Sequence, residues 1–337
     1  MIRNPGPDRI DSLVRAGISF TEIGIIARSD GPRLDGRVIS RRASGARVGF
    51  HRVVAIPVLV AAMALGPTGC GGDTSGSETV VRIGTTESDR SWEVFEDKAA
   101  EQGITLRVTN YSDYSQPNIA LSQRQVDVNL FQHLQFLGQY NVSDNADLTP
   151  IGATQIVPLG LYSKKHTAVT DIPSGGEIAI PNDPSNQARA LFVLQSAGLV
   201  KLSSDTRAPS PADIDQGVSR VKVVTVDAAQ TALSLNSVDG AVINNTFLER
   251  SGIDPESVLY KDDPSSPGAE PYINAFVART EDKNNPVYLK LVEIWHDPQV
   301  QRAVAEASKG TSVEVRRSGP ELERILQQVQ QTIREGR

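Results

Sequence analysis

Glu177-Ile178-Ala179-Ile180-Pro181-Asn182-Asp183-Pro184-Ser185-Asn186-Gln187-Ala188-Arg189 is the stretch whose reading decides the fold. Its first five residues form a short apolar run, as in a strand buried in a sheet. Asp183 follows where a capping side chain accepts from free helical N–H groups, and Pro184 fits the first helical turn, where no N–H is needed. Leu191, Phe192 and Leu194 continue the helix and Gly198 closes it. A strand that runs straight into a capped helix is half of an α/β crossover unit.

The same grammar recurs on both sides. Val80-Val81-Arg82-Ile83-Gly84 reads as a strand, Trp92, Phe95 and Ala99 recur at helical spacing up to Gly103, and Ile104, Leu106 and Val108 alternate as a strand should. Strand, helix and strand within about thirty residues imply a right-handed crossover between parallel strands. Downstream, 221–226 reads as a strand and Asp227 as the cap of a helix carrying Ala228, Ala232, Leu233 and Leu235. Two more strands are predicted at 240–244 and 271–277. Asp297-Pro298 opens a helix closed by Gly310, and Pro320 opens a last one with Leu322, Ile325, Leu326, Val329 and Ile333 on one stripe. The predicted fold is α/β and bilobal, like periplasmic binding proteins: two α/β lobes with a ligand cleft at the carboxyl ends of their strands. The expected division is 78–160 plus 271–337 as lobe one and 161–270 as lobe two, with the Pro/Asp/Ser stretches 203–216 and 262–271 as boundaries.

Charge is distributed unevenly along the 337 residues. Residues 1–52 carry ten arginines against five acids and 53–69 carry no charge, so with a net charge of −6 the remainder stands at −11. An acidic body without clustered Lys and Arg argues against a nucleic-acid partner, and none is expected. The single cysteine, Cys70, cannot form an internal disulfide. It follows a basic segment (Arg41, Arg42, Arg47, Arg52), an apolar run over 53–65 that Pro57 interrupts, and small residues over 66–69. That is the order of an export signal. The apolar run is too short to span a membrane comfortably. The segments are therefore expected as follows: 1–52 an N-terminal extension with a basic region, 53–69 the signal's apolar region and cleavage site, and 70–77 a lipidated Cys70 with its tether. Gly, Ser and Thr dominate 71–79, which suits a flexible tether. A true start near Val38 or Val48 would restore ordinary signal length. Pro67 stands three before the cysteine, where bacterial lipoproteins carry Leu; a signal cut nearby with Cys70 left free is the alternative.

Enzyme chemistry finds little support. His51 belongs to the signal, and His133, His166 and His296 share no metal-ligand spacing. The chain lacks a G-x-S-x-G elbow, a Walker loop and a G-x-G-x-x-G turn. No cofactor or metal is expected. The best acid–base pair on offer is His133 with Asp127, and Asp262-Asp263 reads as a loop pair.

Binding chemistry is better represented. The start of the 184-helix presents free N–H groups and a dipole that favour an anion, and Arg189 adds a fork suited to a carboxylate. The competing reading leaves Asn182 and Asp183 as caps and Arg189 as a surface charge. Asn244 and Asn245 end one strand and Asn274 lies inside another; asparagine is poor in strands, so each needs a partner or a turn. Tyr111, Tyr114, Phe131, His133, Phe136 and Tyr140 concentrate rings in a chain that is only 5% aromatic. They could wall an apolar pocket, Phe136 and Tyr140 fitting ordinary core as well. Rings attract a thioether sulfur by roughly 0.3–1.5 kcal/mol per contact.

Over about 80–315 the chain resembles the methionine-binding lipoproteins of ABC importers. The resemblance rests on five pieces in order: 112–118 (Ser-Asp-Tyr-Ser-Gln-Pro-Asn), 127–133 (Asp-Val-Asn-Leu-Phe-Gln-His), 180–186 with Arg189, 242–246 (Val-Ile-Asn-Asn-Thr) and 272–274 (Tyr-Ile-Asn). It implies that Arg189 binds the ligand carboxylate, that Asn244 and Asn274 hold the α-amino and carboxylate groups, and that Asn186 is a polar residue at the helix start. Tyr114, Phe131 and His133 would wall the thioether. It also implies an ABC permease and its ATPase as partners, a lipid anchor on Cys70 and a place on the extracytoplasmic face of the cell membrane. The chain departs from the family pattern at 85–92, where Thr-Thr-Glu-Ser-Asp-Arg-Ser-Trp replaces a small-residue turn, and at 316–337, beyond the usual ending. Trp92 is accordingly expected at the cleft mouth. Three alternatives share the fold: a binding protein for another amino acid or a methionyl dipeptide, an enzyme, or a sensor ectodomain.

Overall fold

The computed structural model describes residues 79–87 and 89–336. Cys70 and the export segment lie outside the described residues. In chain order the strands are β1 (Thr79–Thr85), β2 (Ile104–Asn110), β3 (Val128–Asn129), β4 (Thr149–Ala153), β5 (Gln155–Ile156), β6 (Gly160–Tyr162), β7 (Glu177–Pro181), β8 (Lys222–Val226), β9 (Gly240–Ile243), β10 (Tyr260–Lys261), β11 (Ala275–Ala278) and β12 (Val313–Glu314). The α-helices are α1 (Arg90–Glu101), α2 (Pro117–Ser122), α3 (Leu134–Ser143), α4 (Pro184–Ser196), α5 (Thr231–Ser234), α6 (Thr246–Arg250), α7 (Pro286–Trp295), α8 (Pro298–Ala307) and α9 (Gly319–Arg334).

Ten of these strands make two five-stranded sheets, ordered β2-β1-β3-β11-β4 and β10-β6-β9-β7-β8, and β12 pairs with β5 in a third, two-stranded one. β1 is parallel to β2 over its whole length, from Thr79 opposite Ile104 to Thr85 opposite Asn110, as the crossover rule requires. β7 lies parallel between β8 and β9, while β11 and β6 run antiparallel to their neighbours. Each five-stranded sheet packs its own core. Phe95, Phe276 and Trp295 anchor the first, and Ile178, Leu191, Leu194 and Val242 the second. The chain thus folds as two α/β lobes, and it passes between the sheets twice, from β5 to β6 and from β10 to β11.

Local chemistry sets the helix ends as expected. The Asp183 carboxylate accepts from the N–H of Asn186 at 2.9 Å, and Asp297 caps α8 through Gln299 at 2.7 Å. Gly103, Gly198 and Gly310 take φ of +74°, +71° and +73°, the left-handed conformation that ends a helix without a Cβ penalty.

One predicted strand is shorter than the sequence suggested. In place of 271–277, a 3₁₀ helix covers Pro267–Tyr272 and β11 begins only at Ala275. Pro271 has no N–H to give a ladder, and its fixed φ suits a helical turn. Asn274 is left between the two, bridged to His133. α9 buries Leu322, Ile325, Leu326 and Val329, and its Val329 sits so close to α3 that a Cβ on Gly138 would come within 2.6 Å of it. The last helix therefore backs the one whose first residues face the cleft.

Candidate functional site

The ends of β3, β5 and β9 and the starts of α3, α4 and α6 converge on one cavity. All seven residues expected to bind ligand line it: Tyr114, Phe131, His133, Asn186, Arg189, Asn244 and Asn274.

Rings form one wall. Tyr114, Phe131 and Phe136 make a closed triangle with centroids 5.9, 5.8 and 5.7 Å apart, and Phe247 meets Tyr114 at 5.1 Å. These spacings are those of tilted and edge-to-face pairs. Phe136 belongs to this wall, not to ordinary core, because α3 begins at Leu134 and its first turn points the ring into the cleft. Tyr111 and Tyr140 pack instead beneath α2 and α3.

His133 caps α3: its Nδ1 accepts from the N–H of Phe136 at 3.1 Å. The ring proton is then on Nε2, which donates to Oδ1 of Asn186 at 3.3 Å. Burial, with the Arg189 charge adding to it, holds the imidazole down to about 3, so it is neutral at physiological pH. Asn186 Oδ1 also accepts from Nδ2 of Asn244 at 2.8 Å, while Asn186 Nδ2 donates to Asp183 at 3.0 Å. This chain of bonds joins a residue of the first lobe, His133, to three of the second, Asn186, Asn244 and Asp183.

Arg189 is 3% exposed. Its Nε donates to Oδ2 of Asp262 at 2.6 Å and its Nη2 to the Val157 carbonyl at 2.9 Å, and its guanidinium lies 4.1 Å over the Tyr272 ring. Those bonds use two of about five N–H groups, so the fork still has donors to offer the cavity. Asp262 also accepts from the Leu159 N–H at 2.8 Å. Arg189 and Asp262 thus tie together the two segments that connect the lobes. Asp262 lies in a loop, as expected, but that is not its whole role: its partner lies 73 residues away in the chain.

The cavity is also short of hydrogen bonds. Among the described residues, Oδ1 of Asn244, Oε1 of Gln155, Nδ2 of Asn274 and Nε1 of Trp295 are buried there without a partner. A buried unpaired polar group costs about 1–3 kcal/mol, so two idle acceptors and two idle donors around one cavity mark a place built to be filled.

Other expectations shift. Trp92 is not at the mouth: it is 3% exposed, packs edge-on against Phe95 and Trp295 at 5.8 and 6.0 Å, and does not line the cavity. Asp127 is not a partner for His133 either. Its carboxylate takes the Arg82 guanidinium at 2.6 Å, outside the cavity. Glu87, Gln155 and Trp295 line the cavity without having been singled out in the sequence. Only Glu87 left a signal, as part of the departure at 85–92.

Two lobes joined by two segments, closed over a cavity with rings on one side and unpaired polar groups on the other, define the class of bilobal substrate-binding proteins. The chain matches the NlpA lipoprotein family over residues 81–316, and it belongs to that family. It is 31% identical over 271 residues to the D-methionine-binding lipoprotein MetQ of Yersinia pestis, covering 78% of this chain and 97% of that protein. Among solved structures it is similar to the substrate-binding protein of a methionine transporter from Streptococcus pneumoniae (TM-score 0.66, 38% identity, 70% of this chain and 95% of that one). It is similar also to a nutrient-binding protein from Burkholderia cenocepacia bound to methionine (TM-score 0.65, 32% identity, 69% and 99%).

Proposed function

We propose that the cavity binds one zwitterionic amino acid, methionine in either enantiomer or a close relative, and that lobe closure presents it to an ABC permease and its ATPase. The idle hydrogen-bonding atoms carry this reading. A carboxylate accepts only, which suits Arg189 and Nδ2 of Asn274; an α-ammonium donates only, which suits Oδ1 of Asn244 and Oε1 of Gln155. A zwitterion stripped of water binds only if both charges meet fixed partners. The Tyr114–Phe131–Phe136 triangle and the edge of His133 then face the side chain, where a thioether gains from ring edges. The bodies that move are 78–160 plus 271–337 and 161–270, turning about the segments that Arg189 and Asp262 fasten. The protein carries out no covalent step in this reading.

Titration calorimetry against L- and D-methionine, with alanine and norleucine as comparators, tests it. One site with a preference for methionine over alanine is expected. Equal affinity for all four, or none for any, contradicts it.

The order basic segment, apolar run, small residues and Cys70 supports export and lipid anchoring on the outer face of the cell membrane. A single acyl chain gives only marginal membrane affinity, so diacylation of Cys70 is the anchoring step. Cys70→Ser should move the protein from the membrane fraction to the soluble one; a variant that stays with the membrane would remove this part of the account.

A further inference from the structure

Glu87 follows β1 and lines two spaces at once: the ligand cavity and a wider vestibule between the lobes. The two share only Glu87, Gln155, Asn245 and Thr246, so these four form the rim through which they communicate. The buried Oε1 of Gln155 and Oδ1 of Asn244, which is 8% exposed, lack donors on this cavity. The cation that acts on Glu87, Arg250, does not pair with it directly. Arg250 of α6 spends its guanidinium on the backbone carbonyls of Thr86 and Ser112 and reaches the carboxyl only through space. Among the described residues Glu87 thus makes no salt bridge, and it stands on the same cavity as two acceptors that need a donor.

We propose that Glu87 is the anionic partner of the ligand's ammonium group, and that binding expels a proton from its carboxyl to the solvent. This deepens the binding reading above and rests on it. With the lobes closed and no ligand between them, burial and then the neighbouring Asp89 push the Glu87 carboxyl up to about 7, with Trp92, Thr246 and Arg250 opposing. An ammonium brought alongside favours the carboxylate and drives the proton off. The other groups around the rim do not mimic this. Tyr114 is held above its usual range and His133 near 3, so both stay neutral between pH 6 and 8. Glu249, on the vestibule side, is raised by burial and by Asp89, but it does not line the cavity. Because the ligand selects the ionised form, affinity should rise about tenfold per pH unit below 7 and level off above it.

Calorimetry of L-methionine in two buffers of different ionisation enthalpy counts the protons. Wild type should release about 0.9 proton per ligand at pH 6 and about 0.1 at pH 8. Glu87→Gln keeps the shape and removes the charge; it should release none, bind about tenfold more weakly at pH 8 and show a flat profile. N-acetylmethionine, which lacks the ammonium, should release no proton from wild type. Methionine binding without proton release, or a Glu87→Gln profile equal to wild type, overturns the role of Glu87 and leaves the binding function standing. A wild-type protein that binds neither enantiomer at any pH overturns both.

Discussion

Arg189→Ala eliminates measurable ligand binding in a protein that still folds. The alanine leaves the ligand carboxylate facing no cation in a site closed to water. It also strips the Asp262 carboxylate of its 2.6 Å partner and the Val157 carbonyl of its donor. Removing one member of a buried, hydrogen-bonded ion pair costs about 3–5 kcal/mol, which is on the order of a hundred- to several-thousand-fold in affinity. Asp262 is partly exposed, with a side chain 26% accessible, and can rehydrate, so the loss falls more on binding than on folding. Arg189→Lys separates charge from geometry. An ammonium restores the charge but cannot reach Asp262, Val157 and ligand from one rigid fork, so its affinity should lie between the two. Calorimetry paired with thermal melts reads both quantities; an alanine variant within threefold of wild-type affinity removes Arg189 from the site.

Asn186→Leu has the second largest expected effect, and for a different reason. Asn186 does not need to touch ligand to matter. Its Oδ1 accepts from both Asn244 and His133, so leucine leaves two buried donors, Nδ2 of Asn244 and Nε2 of His133, without an acceptor. At about 1–3 kcal/mol each, the pair costs on the order of 2–6 kcal/mol. The His133 bond spans the lobes, so in the proposed closing motion part of this cost falls on closure. Binding should weaken at least about a hundredfold, and the ligand-induced rise in melting temperature should shrink more than the melting temperature of the free protein falls. Wild-type affinity in this variant contradicts the proposed link between the lobes.

The residues that gave the site away in the sequence were those that break local rules. Asn274 in an apolar strand context and Asn244 at a strand end are poor choices for a sheet, and both line the cavity. The Asp183-Pro184 start of α4 was legible because capping is a matter of neighbours three residues apart. Asp262 was not, because its meaning depends on Arg189, far away in the chain and brought near only by the second passage between the sheets. Trp92 was misplaced although the signal was present: with Phe95 and Ala99 it repeats at helical spacing, and that stripe of α1 faces the core of the first lobe. Phe136 was left between pocket wall and ordinary core because one helical turn decides between them, and periodicity does not resolve which neighbour a face meets. The predicted strand at 271–277 failed where Pro271 cannot join a ladder.

The most direct test of the closed-cleft account is native mass spectrometry of the purified protein after incubation with methionine. One adduct with the mass of a single methionine, lost on denaturation and absent from Arg189→Ala, is the result the account predicts. A wild-type protein that carries no adduct, or an adduct equally abundant in Arg189→Ala, would contradict it.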